Sequence, residues 1–178
     1  MVHSGAFFVL WIDEIEKVLG NGDSGNETGK RVLGEFLFWI QESSSKVFMA
    51  ATANNVRDLP YELYRKGRFS EVFYAGLPNE KERRSALEQY IRASLKIEPD
   101  QGLLDELVSI TDRYSYADIE MAVKEVAQQM LIGGRPNMDR PQLVNSIRSI
   151  IPISTINHEL INEIESWGKE RAVNVSDQ

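Results

Sequence analysis

Phe7-Phe8-Val9-Leu10-Trp11-Ile12-Asp13-Glu14 decides the fold: six large apolar residues run without a spacer into two adjacent carboxylates. The apolar run begins at Ala6 and is too short for a membrane span. Continuous rather than alternating, it predicts a strand buried on both faces of a parallel sheet. Such a strand delivers Asp13 and Glu14 to its C-terminal end, the edge at which ligands of open α/β sheets bind. The opening residues carry no basic n-region and no small-residue cleavage site, so the run is not a signal peptide.

Outward from that strand, Gly20 to Gly29 is rich in Gly, Asn, Asp and Ser and reads as an exposed flexible loop. Thr28 is placed to cap a helix running to about Glu42, with Val32, Leu33, Phe36, Leu37 and Ile40 on one stripe. Lys46 to Thr52 predicts a second buried strand, Leu59 to Lys66 a short helix ended by Gly67, and Glu71 to Ala75 a third strand. From Asn79 the period becomes helical and stays so. Helices are predicted from Asn79 to about Leu95, Gln101 to Thr111, Ser115 to Gly133, and Met138 to Ile150. A last helix, capped by Ser154, sets Ile156, Leu160, Ile161, Ile164 and Trp167 on a face that packs on the preceding helices. The fold class is therefore α/β plus all-α, with the composition shift near Pro78.

The 178 residues carry a formal net charge of −7, which argues against nucleic-acid binding driven by overall charge. There is no cysteine, so disulfides, thiolate zinc sites and cysteine nucleophiles are excluded. His3 and His158 stand apart, with no metal-ligand spacing around them. The chemistry lies elsewhere. Phosphoryl transfer needs a carboxylate at a strand end to hold Mg²⁺ and a second to polarise the attacking water. Asp13 and Glu14 suit those tasks. A second strand ends Ala50-Ala51-Thr52-Ala53-Asn54, placing a neutral amide where it can contact a γ-phosphate or orient water. Arg65 and Arg68 then flank Gly67 before the third strand.

This ordered set resembles the AAA+ ATPases, in the subgroup of membrane-anchored AAA proteases and p97-like and katanin-like remodelling enzymes. Asp13 and Glu14 match the family's Walker B pair, with Asp13 the metal ligand. Asn54 matches its sensor-1 asparagine, and Arg65 and Arg68 its two arginine-finger positions. Leu77-Pro78 followed by Arg83 matches the junction into the helical lid, and Ser115-Tyr116-Ala117-Asp118-Ile119-Glu120 the lid segment usually written Ser-Gly-Ala-Asp-Ile/Leu. The Thr-Ala-Asn-Asn wording and the tail around Trp167 are similar to uncharacterised AAA proteins of cyanobacterial and algal plastid genomes. The resemblance implies an incomplete P-loop α/β core over 1–78, a four-helix lid over 79–150 and a helical extension over 151–178. It implies ATP and Mg²⁺ as cofactors of the complete protein, with Tyr116, Ala117 and Asp118 at the nucleotide. It implies neighbouring AAA+ subunits as partners, a ring-forming homo-oligomer, an unknown protein substrate, no membrane, and a cytoplasmic location, or the stroma if the source is an alga.

The sequence departs from the family in one decisive respect. Gly29-Lys30 has Ser24 where the first P-loop glycine must stand and Arg31 where Ser or Thr must follow; Gly168-Lys169 has Glu163 and Glu170 at those places. Both pairs also follow the Walker B strand, whereas the family's P-loop precedes it. The expectation is a C-terminal portion of an AAA+ ATPase, inactive alone for want of a phosphate cradle. The alternative is a non-catalytic adaptor lending its fingers and lid surface to a partner. Smaller departures are Asn55 for Arg, Lys66 for Pro and Tyr116 for the lid Gly.

Overall fold

A computed structural model describes residues 8–19, 27–42, 47–65, 67–134 and 139–177. His3, most of the Gly20–Gly29 loop, Lys46, Lys66 and Met138 lie outside them. The chain divides into two compact units, Met1–Phe73 with Trp167–Val173, and Tyr74–Ser166 with Asn174–Gln178. Among the described residues no helix is long and apolar enough to cross a membrane.

In the first unit β1 (Phe8–Ile12) leads into α1 (Ile15–Leu19) and α2 (Glu27–Glu42), and the chain returns as β2 (Val47–Ala51). The strands pair in parallel, Phe8 opposite Val47 and Ile12 opposite Ala51. Such a pairing needs a long crossover, which the two helices supply. The expected stripe of α2 faces inward at Leu37, which is buried, and at Leu33 and Phe36. These join Ile15, Leu19 and Leu63, and Ile12, Ala51, Leu59 and Phe69 pack against the cluster.

The expectation that β1 is buried on both faces is not met. Phe8, Val9 and Trp11 are 63%, 72% and 63% exposed, and Phe48 on β2 is 70% exposed. The cause is the number of strands: among the described residues this sheet has two. Its small core reaches only the C-terminal ends, Ile12 and Ala51.

The helix expected over Leu59–Lys66 is likewise absent from the described part of that segment. Isolated turns replace it, with Leu63 N donating to Pro60 O at 3.0 Å and Arg65 N to Glu62 O at 3.4 Å. Pro60 disfavours helical backbone at Leu59, which leaves too few residues before Gly67 to repay nucleation. Gly67 has φ +93°, a left-handed backbone that a side chain would strain.

β3 is shorter than expected, Phe73–Tyr74, and pairs with β4 (Val173–Asn174). Val173 N donates to Val72 O at 2.9 Å.

The second unit is built from α3 (Glu80–Leu95), α4 (Gln101–Ile110), α5 (Tyr116–Ile132), α6 (Arg140–Ser149), α7 (Ile153–Ile156) and most of α8 (His158–Arg171). Reciprocal caps fix two of the starts. Asn79 Oδ1 accepts from Glu82 N at 3.1 Å while Glu82 Oε2 accepts from Asn79 N at 2.7 Å. Ser115 and Asp118 do the same for α5. Between α3, α4, α5 and α6 lies a continuous core that includes Leu87, Ile91, Leu104, Leu107, Ile119, Val126, Leu143 and Ile147 at no more than 1% exposure. Each contributes about 1.5–3 kcal/mol by burial.

One expectation at the C-terminal end needs correction. Ser154 caps no helix; it sits buried within α7, and its hydroxyl donates to Arg113 O at 2.7 Å. Trp167 meets Tyr64 edge to face, ring centroids 5.7 Å apart.

Candidate active site

Thr52, the residue that follows β2, ties the two strand ends together. Its N–H donates to Ile12 O and its carbonyl accepts from Ile15 N, both at 2.9 Å. These bonds continue the parallel ladder one step past the strands and bring Asp13, Glu14 and Asn54 to one edge, as the sequence predicts for three of its candidates.

At that edge the Thr52 hydroxyl donates to Asp13 Oδ1. The same hydroxyl oxygen accepts from Glu14 N at 3.0 Å. Glu14 has φ +51°, a left-handed backbone rare for a residue with a Cβ and costing of order 1–3 kcal/mol. Its carboxylate is held from two directions. Asn54 Nδ2 donates to Oε1 at 2.8 Å, and the Lys17 ammonium pairs with Oε2. That pairing, first by hydrogen bond and then by charge, pushes the Lys17 pKa up.

Glu16 is 8% exposed. Its Oε1 accepts from Asn54 N at 3.0 Å, and its Oε2 is buried without a partner. It thereby anchors the backbone of the amide residue. Thr52, Glu16 and Lys17 were not among the sequence candidates. The roles of Thr52 and Glu16 depend on a strand pairing between residues about forty positions apart, for which the one available signal was a hydroxyl closing an otherwise apolar strand; Lys17 meets Glu14 locally, three residues on.

Of the two candidate arginines, Arg68 is half-buried and its Nη1 donates to Glu62 O at 2.7 Å. Arg65 is exposed, and its guanidinium makes no hydrogen bond or ion pair among the described residues.

Tyr116, Ala117 and Asp118 lie in the second unit, at the first turn of α5. Ala117 is exposed. Tyr116 lines a groove of 320 Å³ with Lys81, Glu82, Ser85, Gln89 and Tyr90. Partial burial pushes the Tyr116 phenol pKa up, and the charge of Glu82 adds to the rise. The Asp118 carboxylate is engaged locally: Oδ2 accepts from Ser115 N at 2.8 Å and from Ser115 Oγ at 2.7 Å, and Ile153 N approaches it at 3.3 Å. Arg83 is 9% exposed and donates from Nη1 to Pro78 O at 3.1 Å, which fixes the junction into α3.

A parallel strand pair presenting two acids and an amide at its C-terminal edge, followed by a compact helical unit, defines an α/β core with a helical lid. The chain belongs to the AAA ATPase family: residues 2–77 match the family described as "ATPase family associated with various cellular activities (AAA)". Among curated relatives it is similar to the "Uncharacterized AAA domain-containing protein ycf46" of Guillardia theta, 37% identical over 164 residues, 89% of this chain and 32% of that one. The protein of the same name from Pyropia yezoensis is 34% identical over 176 residues, 94% of this chain and 35% of that one. The chain thus spans about a third of the length of these relatives. Among solved structures the FIGL-1 AAA domain has the same fold, with a TM-score of 0.71 at 20% identity over 92% of this chain and 57% of that one.

Proposed function

We propose that this chain is the C-terminal portion of an AAA+ ATPase that couples ATP hydrolysis to the remodelling of protein partners. The convergence of Asp13, Glu14 and Asn54 at one strand edge carries this reading. Asp13 fits a Mg²⁺ ligand. It is exposed, Thr52 engages its Oδ1, and no hydrogen bond is recorded for its Oδ2 among the described residues. Mg²⁺ is commonly held by one or two carboxylates together with phosphate oxygens and water. When bound, Mg²⁺ and ATP supply the phosphoryl group and the neutralisation of its charge. Glu14 serves as the group that polarises water, and gives up one of its two present partners to do so. Asn54 contacts the γ-phosphate side of the site and orients Glu14. Arg65 and Arg68 act on the site of a neighbouring subunit in a ring.

The polyphosphate itself does not fit the residues present. The sequence contains no Gly-x4-Gly-Lys-Ser/Thr, and two carboxylates beside a polyphosphate repel it without a cradle of backbone N–H groups and a lysine. On this reading a segment ahead of residue 1 supplies that cradle, and the 178 residues alone are inactive. Titration calorimetry tests it, with ATP–Mg²⁺ added to this chain and to a longer one bearing a Walker A segment. Micromolar binding by the longer chain only is the expected result. Micromolar binding by the short chain contradicts the proposal. Binding by neither leaves the second reading, an adaptor lending arginines and lid surface to a partner, which the missing P-loop motif favours.

A further inference from the structure

We infer that Thr52 is a positioning residue of this site, its single hydroxyl setting both the orientation of the Asp13 carboxylate and the left-handed backbone of Glu14. The inference rests on the role proposed above for the two acids and adds a residue to it.

One oxygen makes both contacts. The Thr52 hydroxyl hydrogen goes to Asp13 Oδ1, and its lone pair accepts the Glu14 N–H at 3.0 Å. The first bond fixes which Asp13 oxygen is turned toward β2 and which remains for another ligand. The second compensates an N–H that leaves the strand ladder where the backbone of Glu14 turns to φ +51°. A polar N–H at such a turn needs a partner, and no backbone acceptor is recorded for it among the described residues. The main chain of Thr52 is already engaged, its N–H with Ile12 O and its carbonyl with Ile15 N. Those two bonds survive any side-chain substitution. The hydroxyl is therefore separable from the strand pairing, and its effect can be read apart from folding.

A valine at this position keeps the branched shape and loses the hydroxyl; a serine keeps the hydroxyl and loses the methyl. Amide hydrogen exchange on the 178-residue chain, followed residue by residue by NMR, distinguishes the cases. In Thr52→Val the Glu14 amide exchanges roughly fivefold faster or more, as loss of one hydrogen bond requires. The Ile15 amide, bonded to the Thr52 carbonyl, stays within twofold of the parent and reports intact pairing. The carboxyl carbon resonance of Asp13 shifts in the same variant. Thr52→Ser restores both signals. An unchanged Glu14 amide in Thr52→Val overturns the inference. So does a serine variant as fast as the valine one, which would assign the effect to packing of the methyl. Neither readout involves nucleotide, so failure of ATP turnover would sink the proposed function and leave this result standing.

Discussion

Asn54 reaches across the paired strand ends to Glu14, Nδ2 to Oε1 at 2.8 Å, although 40 positions separate the two residues in sequence. The register that sets Ile12 opposite Ala51 makes this contact, and a slip of one residue would turn every side chain of a strand to the other face. What holds that register is a modest set of interactions: five paired positions, the Thr52 clasp, and a cluster around Ile15, Leu19, Leu37 and Leu63.

The exposed faces of β1 and β2 predict self-association of the isolated chain. Phe8, Val9, Trp11 and Phe48 are each more than 60% exposed on a two-stranded sheet, and an uncovered strand edge templates pairing with another chain. Light scattering at tens of micromolar should show a dimer or larger species, and the double substitution Trp11→Lys, Phe48→Lys should shift it toward monomer. A monodisperse monomer of the parent chain would refute this.

Leu107 is fully buried in the helical core. Leu107→Ala should cost about 2–5 kcal/mol, whereas Leu131→Ala, at a position 83% exposed, should stay within about 0.5 kcal/mol. Denaturant melts followed by circular dichroism measure both. Equal midpoints for the two variants would contradict the core assignment.

Tyr114 gives a pH dependence of known sign. Its buried hydroxyl lies 3.0 Å from Ile147 O and 2.9 Å from Ile150 O, and donates to them. Burial, and after it the charge of Asp118, pushes the phenol pKa above its ordinary value near 10. The folded state therefore favours the protonated form. This contribution is whole below about pH 10, the unfolded value, and is lost as pH rises through the folded one. Tyr114→Phe should be less stable than the parent by about 1 kcal/mol at pH 7, with the gap closing above pH 10. A gap independent of pH would contradict it.

The two arginines differ in a way that folding measurements can detect. Arg68→Ala removes the bond to Glu62 O and should destabilise the chain by about 1–2 kcal/mol, while Arg65→Ala should stay within about 0.5 kcal/mol. Thermal melts of the two variants decide. A larger loss at Arg65 would show that Arg68 is not tied back in solution.

The helical unit was legible in the sequence because its determinants are local. Asn79 with Glu82, and Ser115 with Asp118, close their caps within three residues, and the core positions of α3 to α6 repeat at the helical period. The misreadings share a different physical cause. Ser154 has the right residue type for a cap, but its hydroxyl is taken by Arg113 O, 41 positions away. An apolar run like Phe7–Ile12 states what a strand is suited to bury, not whether enough strands are present to bury it. At the site, the residue types of Asp13, Glu14 and Asn54 were legible by their places at strand ends. Thr52 and Glu16 act through contacts that exist only once β1 and β2 are paired, and Lys17 through a local pairing with Glu14.

The central claim, that Glu14 at this strand edge polarises water for ATP hydrolysis, is tested most directly by phosphate release from a longer chain bearing a Walker A segment ahead of residue 1. Glu14→Gln in that chain should keep ATP–Mg²⁺ binding within a few-fold and lower turnover by roughly 10²-fold or more, the scale of a lost general base. Turnover unchanged in the Gln variant, with binding intact, would contradict the claim.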